Sequence, residues 1–291
     1  MKLVSFQRDG GVRYGAVKGD RVIDFTTRLP YPDIVAFIAA NDRAAADALL
    51  RSEAGDYRYD DLALLPVVPN PGKIICIGVN YEDHRAEAGR PKTEHPMVFA
   101  RFPESQTGHH CAIQRSARVS TQLDFEAELL VVIGKRTPRF TSRADALGHV
   151  FGYSCYNEAC HRDYQWHTSQ LTPGKNFEST GASGPWLVTA DEIPDPQALR
   201  IQMRLNGQVM QDANTAQMVW PIAVLIDYVT RWLPLNPGDL IVSGTPGGVG
   251  VKRTPPIFMK PGDKAEVEIE RIGTLFNTIA DDRWSTERSA G

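Results

Sequence analysis

Two glutamates in the stretch LDFEAELLVVIGK have the spacing of a cation site. Glu126 and Glu128 stand two positions apart at the start of a predicted strand, so both carboxylates project from the same face. On a solvent-exposed face the pair would carry no function, and the spacing alone favours neither interpretation. On a buried face a divalent cation is the simplest compensation for their repulsion, and carboxylate oxygens favour Mg²⁺, Mn²⁺ or Ca²⁺ over soft metals. Such a site needs a third carboxylate from elsewhere in the chain.

The polar run GYSCYNEACHRDYQ offers that third carboxylate. Glu158 and Asp163 are the candidates, and Arg162 and Gln165 stand beside them. A solvated helix start is the alternative interpretation. Aromatic residues interleave with the charges, which is more typical of a lined cleft than of a plain surface, and they are Tyr153, Tyr156, Tyr164 and Trp166. We therefore favour a functional role for this run.

A histidine and a glutamate in NYEDHRAE could form a general base. His84 and Glu87 lie three positions apart, which on a helix places both on one face within reach of each other. A carboxylate that holds one imidazole nitrogen leaves the other able to take a proton from water. The same spacing also occurs in surface pairs without a role, so the pair alone does not establish a base.

Lys175 in TPGKNFE and Thr245 in SGTPGGVG lie close to glycines. The second segment could be taken for a phosphate loop, but the sequence Gly-Lys-Ser/Thr occurs nowhere in the chain, which rejects a Walker-type NTPase. Two interpretations of this segment stay open. It is either a turn that ends a strand or a backbone nest that holds a substrate carboxylate.

The chain before residue 70 is predicted to form a small α+β unit. Short strands separated by glycine turns occupy residues 1–28, and an apolar face at helical spacing runs from Tyr31 to Glu53. The proline-rich segment LLPVVPNPGK suits an extended crossing between two units. We place a domain boundary near Pro69, with a small N-terminal domain of residues 1–69 and a catalytic domain of residues 70–291.

Beyond that boundary the pattern is mainly β. Runs that alternate or are rich in β-branched residues predict strands, and they are KIICIGV, ELLVVIGK, WLVTADEI, LRIQMRLNGQVM, DLIVSGTP and AEVEIERIGTLFNTI. One long amphipathic helix is predicted from Met218 to Leu233. Pro-Gly-Asp at 237–239 and 261–263 predicts two similar turns before strands. The predicted fold class is therefore α+β, mainly β.

The composition excludes several classes of protein. The 291 residues carry 32 Lys and Arg against 35 Asp and Glu, and the absence of a basic run longer than two residues argues against nucleic acid binding. The apolar runs are too short to span a membrane. Charges at Arg8 and Asp9 argue against a signal peptide, and four cysteines without Cys-x-x-Cys spacing favour reduced thiols. We therefore expect a cytoplasmic protein.

Seven motifs in order resemble the fumarylacetoacetate hydrolase superfamily, in particular its bacterial two-domain, acylpyruvate hydrolase-like members. The resemblance covers residues 70 to 280, and the motifs are PGKIICIGVNYEDHRAE, DFEAELLVVIGK, YNEACHRDYQ, TPGKNF, GPWLVTADEI, LNPGDLIVSGTPGGVG and KPGDKAEVEIERIGTLFN. The resemblance implies a mixed β-roll around one Mg²⁺ or Mn²⁺, with Ca²⁺ as an alternative ion in crystals. It further implies a homodimer and C–C bond chemistry on β-dicarbonyl or 2-oxo acids.

The resemblance also assigns roles to single residues. Glu126 and Glu128 match the family's E-x-E metal ligands, and Glu158 takes the place of the third ligand, which is usually Asp. This departure resembles a Glu-bearing subgroup and leaves the cavity dimensions and substrate size open. The remaining matches are Arg162, Gln165 and Thr245 for substrate contact, Lys175 as the active-site lysine, and His84 with Glu87 as the dyad of the smaller members.

The expected function is hydrolysis of a C–C bond in a 2,4-dioxo acid, of the acylpyruvate or diketo-deoxy sugar acid type. In this scheme His84, oriented by Glu87, deprotonates a water that attacks the distal carbonyl, and an enolate stabilised by the metal and by Lys175 departs. Decarboxylation of a β-keto acid and enol–keto isomerisation use the same chemistry and stay open as alternatives. A catalytically silent relative that binds small oxo acids is the remaining hypothesis. No nucleic acid or membrane partner is expected.

Overall fold

The computed structural model describes residues 1–286 and is built mainly from strands. Its strands are β1 (Lys2–Arg8), β2 (Gly11–Lys18), β3 (Arg21–Asp24), β4 (Tyr57–Arg58), β5 (Ala63–Leu64), β6 (Ile74–Gly78), β7 (Met97–Arg101), β8 (Gln106–Gly108), β9 (Ala112–Arg115), β10 (Leu123–Asp124), β11 (Ala127–Ile133), β12 (Val150–Glu158), β13 (Cys160–His161), β14 (Gly181–Thr189), β15 (Arg200–Leu205), β16 (Gln208–Asn214), β17 (Leu240–Val242), β18 (Lys264–Ile269) and β19 (Gly273–Asp281). Its helices are α1 (Ile34–Ala40), α2 (Arg43–Ser52), α3 (Glu82–Glu87), α4 (Arg143–Ala146), α5 (Arg162–Gln165), α6 (Thr172–Lys175), α7 (Ile222–Thr230) and α8 (Arg283–Thr286). The predicted fold class, α+β and mainly β, is confirmed. Within residues 1–286, no helix is long and apolar enough to cross a membrane.

A twelve-stranded sheet forms the centre of the molecule. Its strand order is β4-β3-β2-β1-β14-β12-β11-β17-β6-β7, and β5 and β8 pair with β1 and β14. Strand β11 lies near the middle and is buried along its whole length. Its side chains alternate between two cores, with Val131 in one and Leu130 and Val132 in the other. Burial on both faces explains why the segment AELLVVI is a continuous apolar run instead of an alternating one.

A second sheet covers one face of the large sheet. Its order is β16-β15-β18-β19-β9, and side chains such as Met203, Val267 and Leu275 join Val131 in the same core. Helix α7 packs into this core through Leu225 and other buried residues. The two sheets and α7 therefore share one hydrophobic core.

The N-terminal region extends the large sheet. The three predicted strands are confirmed as β1 to β3, and β1 pairs with β14 in the register Leu3 to Leu187. The helical pattern divides into α1 and α2 because Asn41 takes a left-handed conformation, with a φ of 50°, that ends α1. The division into domains of residues 1–69 and 70–291 stays a prediction.

The long helix predicted from Met218 to Leu233 is wrong in its bounds, since α7 is shorter at both ends. At the start, the backbone N–H groups of Val219 and Trp220 donate to the carbonyl and side-chain oxygens of Asn80, which holds these residues outside the helix. Amphipathic spacing could not show this, because it depends on a residue far away in sequence.

The two Pro-Gly-Asp turns are similar, as predicted. In each turn the glycine has a positive φ, 82° at Gly238 and 88° at Gly262. In each, the Asp carboxylate accepts a hydrogen bond from the backbone N–H three residues earlier, over 2.7 Å at Asp239 and 2.9 Å at Asp263. This local pattern therefore depends on the turn residues and little on the surrounding fold.

Candidate active site

Residues from separate parts of the chain line one cavity of about 160 Å³ at the ends of the central strands. The cavity contains seven of the predicted site residues and further polar and aromatic groups, and its charged or polar lining consists of His84, Arg90, Glu126, Glu128, Arg162, Gln165, Lys175, Thr245 and Lys252. Two predicted residues stand behind this lining. Glu87 contacts His84, and Glu158 contacts Lys175.

The three predicted metal ligands come together through the pairing of β11 with β12. Ala127 lies opposite Asn157, and the backbone N–H of Glu158 donates to the carbonyl of Glu126 over 2.8 Å. One oxygen each of Glu126, Glu128 and Glu158 lies within 4.8 Å of the others, and all three residues are buried. Asp163, the other candidate, is not part of this group and accepts a hydrogen bond from Ser120.

Two cations neutralise part of this carboxylate cluster. Lys175 Nζ donates to Glu126 Oε2 over 2.9 Å and also to Glu158 Oε2. Arg162 NH2 lies 2.7 Å from Glu126 Oε1. Although burial opposes the charge, Lys175 and Arg162 lower the pKa of Glu126 to about 2. Glu126 is therefore ionised at any physiological pH.

Glu128 lacks such a cation within residues 1–286. Its carboxylate accepts a hydrogen bond from the backbone N–H of Gly244 and forms no ion pair with the described residues. Burial, together with the charges of Glu158 and Glu126, raises the pKa of Glu128 well above its ordinary value. A divalent cation would relieve this excess of negative charge, and an all-oxygen donor set suits a hard ion. The residues therefore fit the metal that the motifs imply.

A glycine brings Lys175 to the carboxylates. Helix α6 ends at Lys175, and at Gly174 a Cβ atom would lie 2.3 Å from the backbone nitrogen of Gln165 in α5. A larger residue would separate the two short helices. Gly174 is therefore needed for close packing, which places the buried ammonium group of Lys175 at the cavity.

Arg162 is fixed by an acidic residue that the sequence analysis did not single out. Its Nε donates to Asp124 Oδ2 over 2.8 Å, and its NH1 donates to Gln165 Oε1 over 2.9 Å. Asp124 is fully buried and also accepts from the backbone N–H groups of Gly250 and Val251. The sequence feature that could have identified Asp124 is its position two residues before Glu126.

The hydroxyl of Thr245 forms hydrogen bonds within the protein. It donates to the carbonyl of Ala127 and accepts from Gln211 Nε2, both over 2.9 Å. Gln211, which the sequence analysis also missed, binds the backbone N–H of Ala127 as well. Thr245 therefore lines the cavity and at the same time ties its glycine-rich loop to β11.

The predicted dyad is formed in α3. His84 Nδ1 lies 2.8 Å from Glu87 Oε1, and Glu87 Oε2 accepts the backbone N–H of Gly248 over 2.9 Å. Burial opposes ionisation of Glu87, but the hydrogen bonds from His84 and Gly248 hold its pKa below the ordinary value. With Glu87 ionised, Nδ1 carries the imidazole proton. Nε2 has no hydrogen-bond partner within the described chain, and His84 lines the cavity.

Two further cations lie at the mouth of the cavity. Arg90 and Lys252 line it and are exposed, and neither side chain forms an ion pair or hydrogen bond with the residues described by the structure. Arg90 follows α3, and Lys252 follows the glycine-rich loop that begins at Gly244. The sequence offered no reason to select them, because a single basic residue such as Arg90 and a short basic pair such as Lys252-Arg253 are both common on protein surfaces.

Comparison with known proteins identifies relatives along most of the chain. Oxaloacetate tautomerase YisK of Bacillus subtilis is 41% identical over 232 residues, which cover 78% of this chain and 77% of that protein. The mitochondrial oxaloacetate tautomerase FAHD2A of Bos taurus is 40% identical over 289 residues, 96% of this chain and 91% of that protein.

Solved structures show the same fold. A fumarylacetoacetate hydrolase from Exiguobacterium antarcticum has a TM-score of 0.81 at 32% identity and covers 97% of this chain and 100% of its own. Maleylpyruvate hydrolase from Sphingobium sp. SYK-6, in complex with manganese(II) and pyruvate, has a TM-score of 0.81 at 28% identity with the same coverage. Residues 73–280 match the family model of the fumarylacetoacetate (FAA) hydrolase C-terminal domain. The chain therefore belongs to the fumarylacetoacetate hydrolase family, as its ordered motifs predict.

Proposed function

We propose that this protein is a metal-dependent enol–keto tautomerase that acts on a short 2-oxo dicarboxylic acid of the oxaloacetate type. The observation that carries this proposal is the His84–Glu87 dyad, because His84 lines the same small cavity as Glu126 and Glu128 and its Nε2 has no hydrogen-bond partner among the described residues. Tautomerisation only moves a proton between an oxygen and a carbon, so one well-oriented base is sufficient. The relatives at about 40% identity, both oxaloacetate tautomerases, support this reaction over hydrolysis.

Glu126, Glu128 and Glu158 would hold the metal, and Mg²⁺ or Mn²⁺ suits their oxygen atoms. A bound ion of this kind acts as a Lewis acid that polarises the oxygens of a 2-oxo acid. Lys175 and Arg162 keep Glu126 ionised and ready to bind. The manganese and pyruvate in the Sphingobium hydrolase support both the ion and the oxo-acid end of the substrate.

The proton is moved by His84. In the enol-to-keto direction, Nε2 removes the proton from the enol hydroxyl at C2, and the carbon–oxygen bond becomes a carbonyl. The former C2–C3 double bond supplies the electron pair with which C3 takes the proton back from the imidazolium. Glu87, hydrogen-bonded to Nδ1, fixes the ring orientation and stabilises the charged imidazolium between the two transfers.

The mouth of the cavity favours a substrate with a second carboxylate. Lys175 and Arg162 are already paired with protein carboxylates, whereas Arg90 and Lys252 have no partner among the described residues. A dicarboxylate that reaches from the buried carboxylate cluster to the mouth would pair with these two cations. A neutral distal group would leave them without a counter-charge.

C–C hydrolysis is the second candidate, favoured by the same dyad and by the similarity to maleylpyruvate hydrolase. In that reaction Nε2 of His84 would deprotonate a water molecule instead of the substrate. The two candidates differ in product. Tautomerisation leaves the mass unchanged, whereas hydrolysis adds water and yields two acids.

The experiment follows the enol absorbance of oxaloacetate with the protein and Mn²⁺, and with a chelator as control. We expect faster decay of the enol only with the metal, and mass spectrometry should find no cleavage product. A panel of 2,4-dioxo acids is tested in parallel. Cleavage of a panel member without any acceleration of enol decay would reject the tautomerase in favour of the hydrolase.

A further inference from the structure

A buried arginine stands behind the third metal ligand. Arg101, the last residue of β7, is 2% exposed, and its side chain does not line the cavity. Its NH1 donates to Glu158 Oε1 over 2.7 Å. The other oxygen of Glu158, Oε2, shares Lys175 with Glu126 and therefore lies on the side of the carboxylate cluster.

The guanidinium of Arg101 is held by acceptors on three further groups. Its Nε donates to Ser105 Oγ over 3.1 Å, its NH1 also to the carbonyl of Ala159 over 3.1 Å, and its NH2 to Thr180 Oγ1 over 2.6 Å. A planar group fixed at all three nitrogens cannot rotate without losing hydrogen bonds in a buried position. Glu158 Oε1 is therefore held in one place.

The fold also makes room for this arginine. At Gly181, the first residue of β14, a Cβ atom would lie 2.9 Å from Cζ of Arg101. The same Cβ would lie 2.3 Å from the hydroxyl of Tyr156, so a larger side chain would crowd both this tyrosine and the guanidinium beside Glu158. The close approach therefore depends on the glycine and on the arginine together.

We propose that Arg101 is a positioning residue for the metal site, which anchors Oε1 of Glu158 so that Oε2 faces Glu126 and Glu128. The guanidinium compensates the charge on Oε1, while Oε2, which accepts from Lys175, keeps a second lone pair for the cation. This inference rests on the metal site of the proposed function and is independent of which reaction the protein catalyses.

The test measures Mn²⁺ affinity by titration calorimetry in the parent protein and in Arg101→Lys. Lysine keeps the positive charge but cannot reproduce the planar fork, and we expect Mn²⁺ to bind about 10- to 100-fold more weakly, as for other groups that orient metal ligands. Arg13→Lys is the matched control. Arg13 pairs with the buried Asp24 over 2.8 Å in the N-terminal strands, and its substitution should leave the Mn²⁺ affinity unchanged.

A double-mutant cycle separates positioning from a general loss of structure. Glu158→Asp shortens the side chain, so that one carboxylate can no longer bridge Arg101 and the cluster. Arg101→Lys should then weaken Mn²⁺ binding much less in the Glu158→Asp background than in the parent. Equal effects in both backgrounds, or parental affinity in a folded Arg101→Lys, would overturn the inference. Absence of Mn²⁺ binding by the parent would instead reject the proposed metal site.

Discussion

Arg28 and Asp56 in the N-terminal region form a matched ion pair, whereas the charges at the cavity are not matched. NH1 and NH2 of Arg28 each lie 2.8 Å from one oxygen of Asp56, and both side chains are partly exposed. At the cavity, Lys175 pairs with two buried carboxylates at once, and Glu128 forms no ion pair with the described residues. Arg90 and Lys252 at the mouth show the opposite imbalance. Neither cation has a counter-ion among residues 1–286.

This difference in charge pairing distinguishes residues that stabilise the fold from residues that we propose bind a ligand. A matched, partly exposed ion pair contributes a little to the free energy of unfolding, and its two charges already neutralise each other. A buried carboxylate without a partner costs stability unless a cation is bound. The negative interior and positive mouth are what the proposed metal ion and anionic substrate would require, and substitutions in the two regions should affect different measurements.

The largest effect is expected at the dyad. His84→Asn removes the base, and turnover of the enol should fall by about 10² to 10⁴. Mn²⁺ affinity and the melting temperature should stay close to those of the parent, because His84 is not a ligand in the proposed site. Glu87→Gln serves as the comparison and should reduce turnover less, since it keeps the imidazole. Turnover in His84→Asn within a factor of two of the parent would show that the dyad is not the base.

Glu128→Gln should separate function from stability. The substitution removes a proposed metal ligand. Residues that only orient a metal ligand typically contribute 10- to 100-fold, so loss of the ligand itself should lower metal-dependent turnover more than about 100-fold. The substitution also removes a buried carboxylate that forms no ion pair with the described residues, and the melting temperature without metal should therefore not decrease. Glu270→Gln, at an exposed position, is the control for both measurements. A lower melting temperature in the metal-free protein would contradict the charge imbalance described above.

Arg90→Met with Lys252→Met tests the mouth of the cavity. Loss of the two exposed cations should raise KM for a dicarboxylic substrate up to roughly tenfold, because a solvent-exposed charge pair contributes only about 0.2–1 kcal/mol. Turnover at saturation should change little, and affinity for oxalate should stay constant, because oxalate has no further carboxylate beyond the two that would chelate the metal. Lys135→Met, an exposed substitution outside the cavity lining, is the control. An unchanged KM would remove these residues from substrate binding.

The smallest effect belongs to the N-terminal pair. Burial opposes ionisation of Asp56, but Arg28 and the backbone N–H of Asp24 hold its pKa below the ordinary value. The pair therefore stabilises the fold above the unfolded pKa of about 3.9, and this contribution is lost as the pH falls through the folded pKa. Arg28→Met should lower the free energy of unfolding by about 0.5–1 kcal/mol at pH 7 and by less near pH 3. Denaturant titrations at the two pH values provide the check, and turnover should not change.

The sequence by itself determined the local elements and the chemical types at the site. Period-two and β-branched patterns predicted β1 to β3 and β11, the Pro-Gly-Asp motif predicted two similar turns, and the spacing of His84 and Glu87 predicted their contact. These predictions succeed because each depends on residues a few positions apart along one strand, turn or helix. The family was also predicted from short motifs, each of which is local in the sequence.

Only the tertiary structure decided how distant groups combine. Asn80 shortens α7 from 140 residues away, Asp124 fixes Arg162, and Arg101 reaches Glu158 across 57 positions. Each of these residues is an ordinary polar side chain in the sequence, and its role arises from burial, which makes a hydrogen bond or a charge too costly to leave unpaired. The carboxylate cluster was predicted from residue types together with the family resemblance, but its charge balance was not, because the balance depends on which cations the fold places within reach.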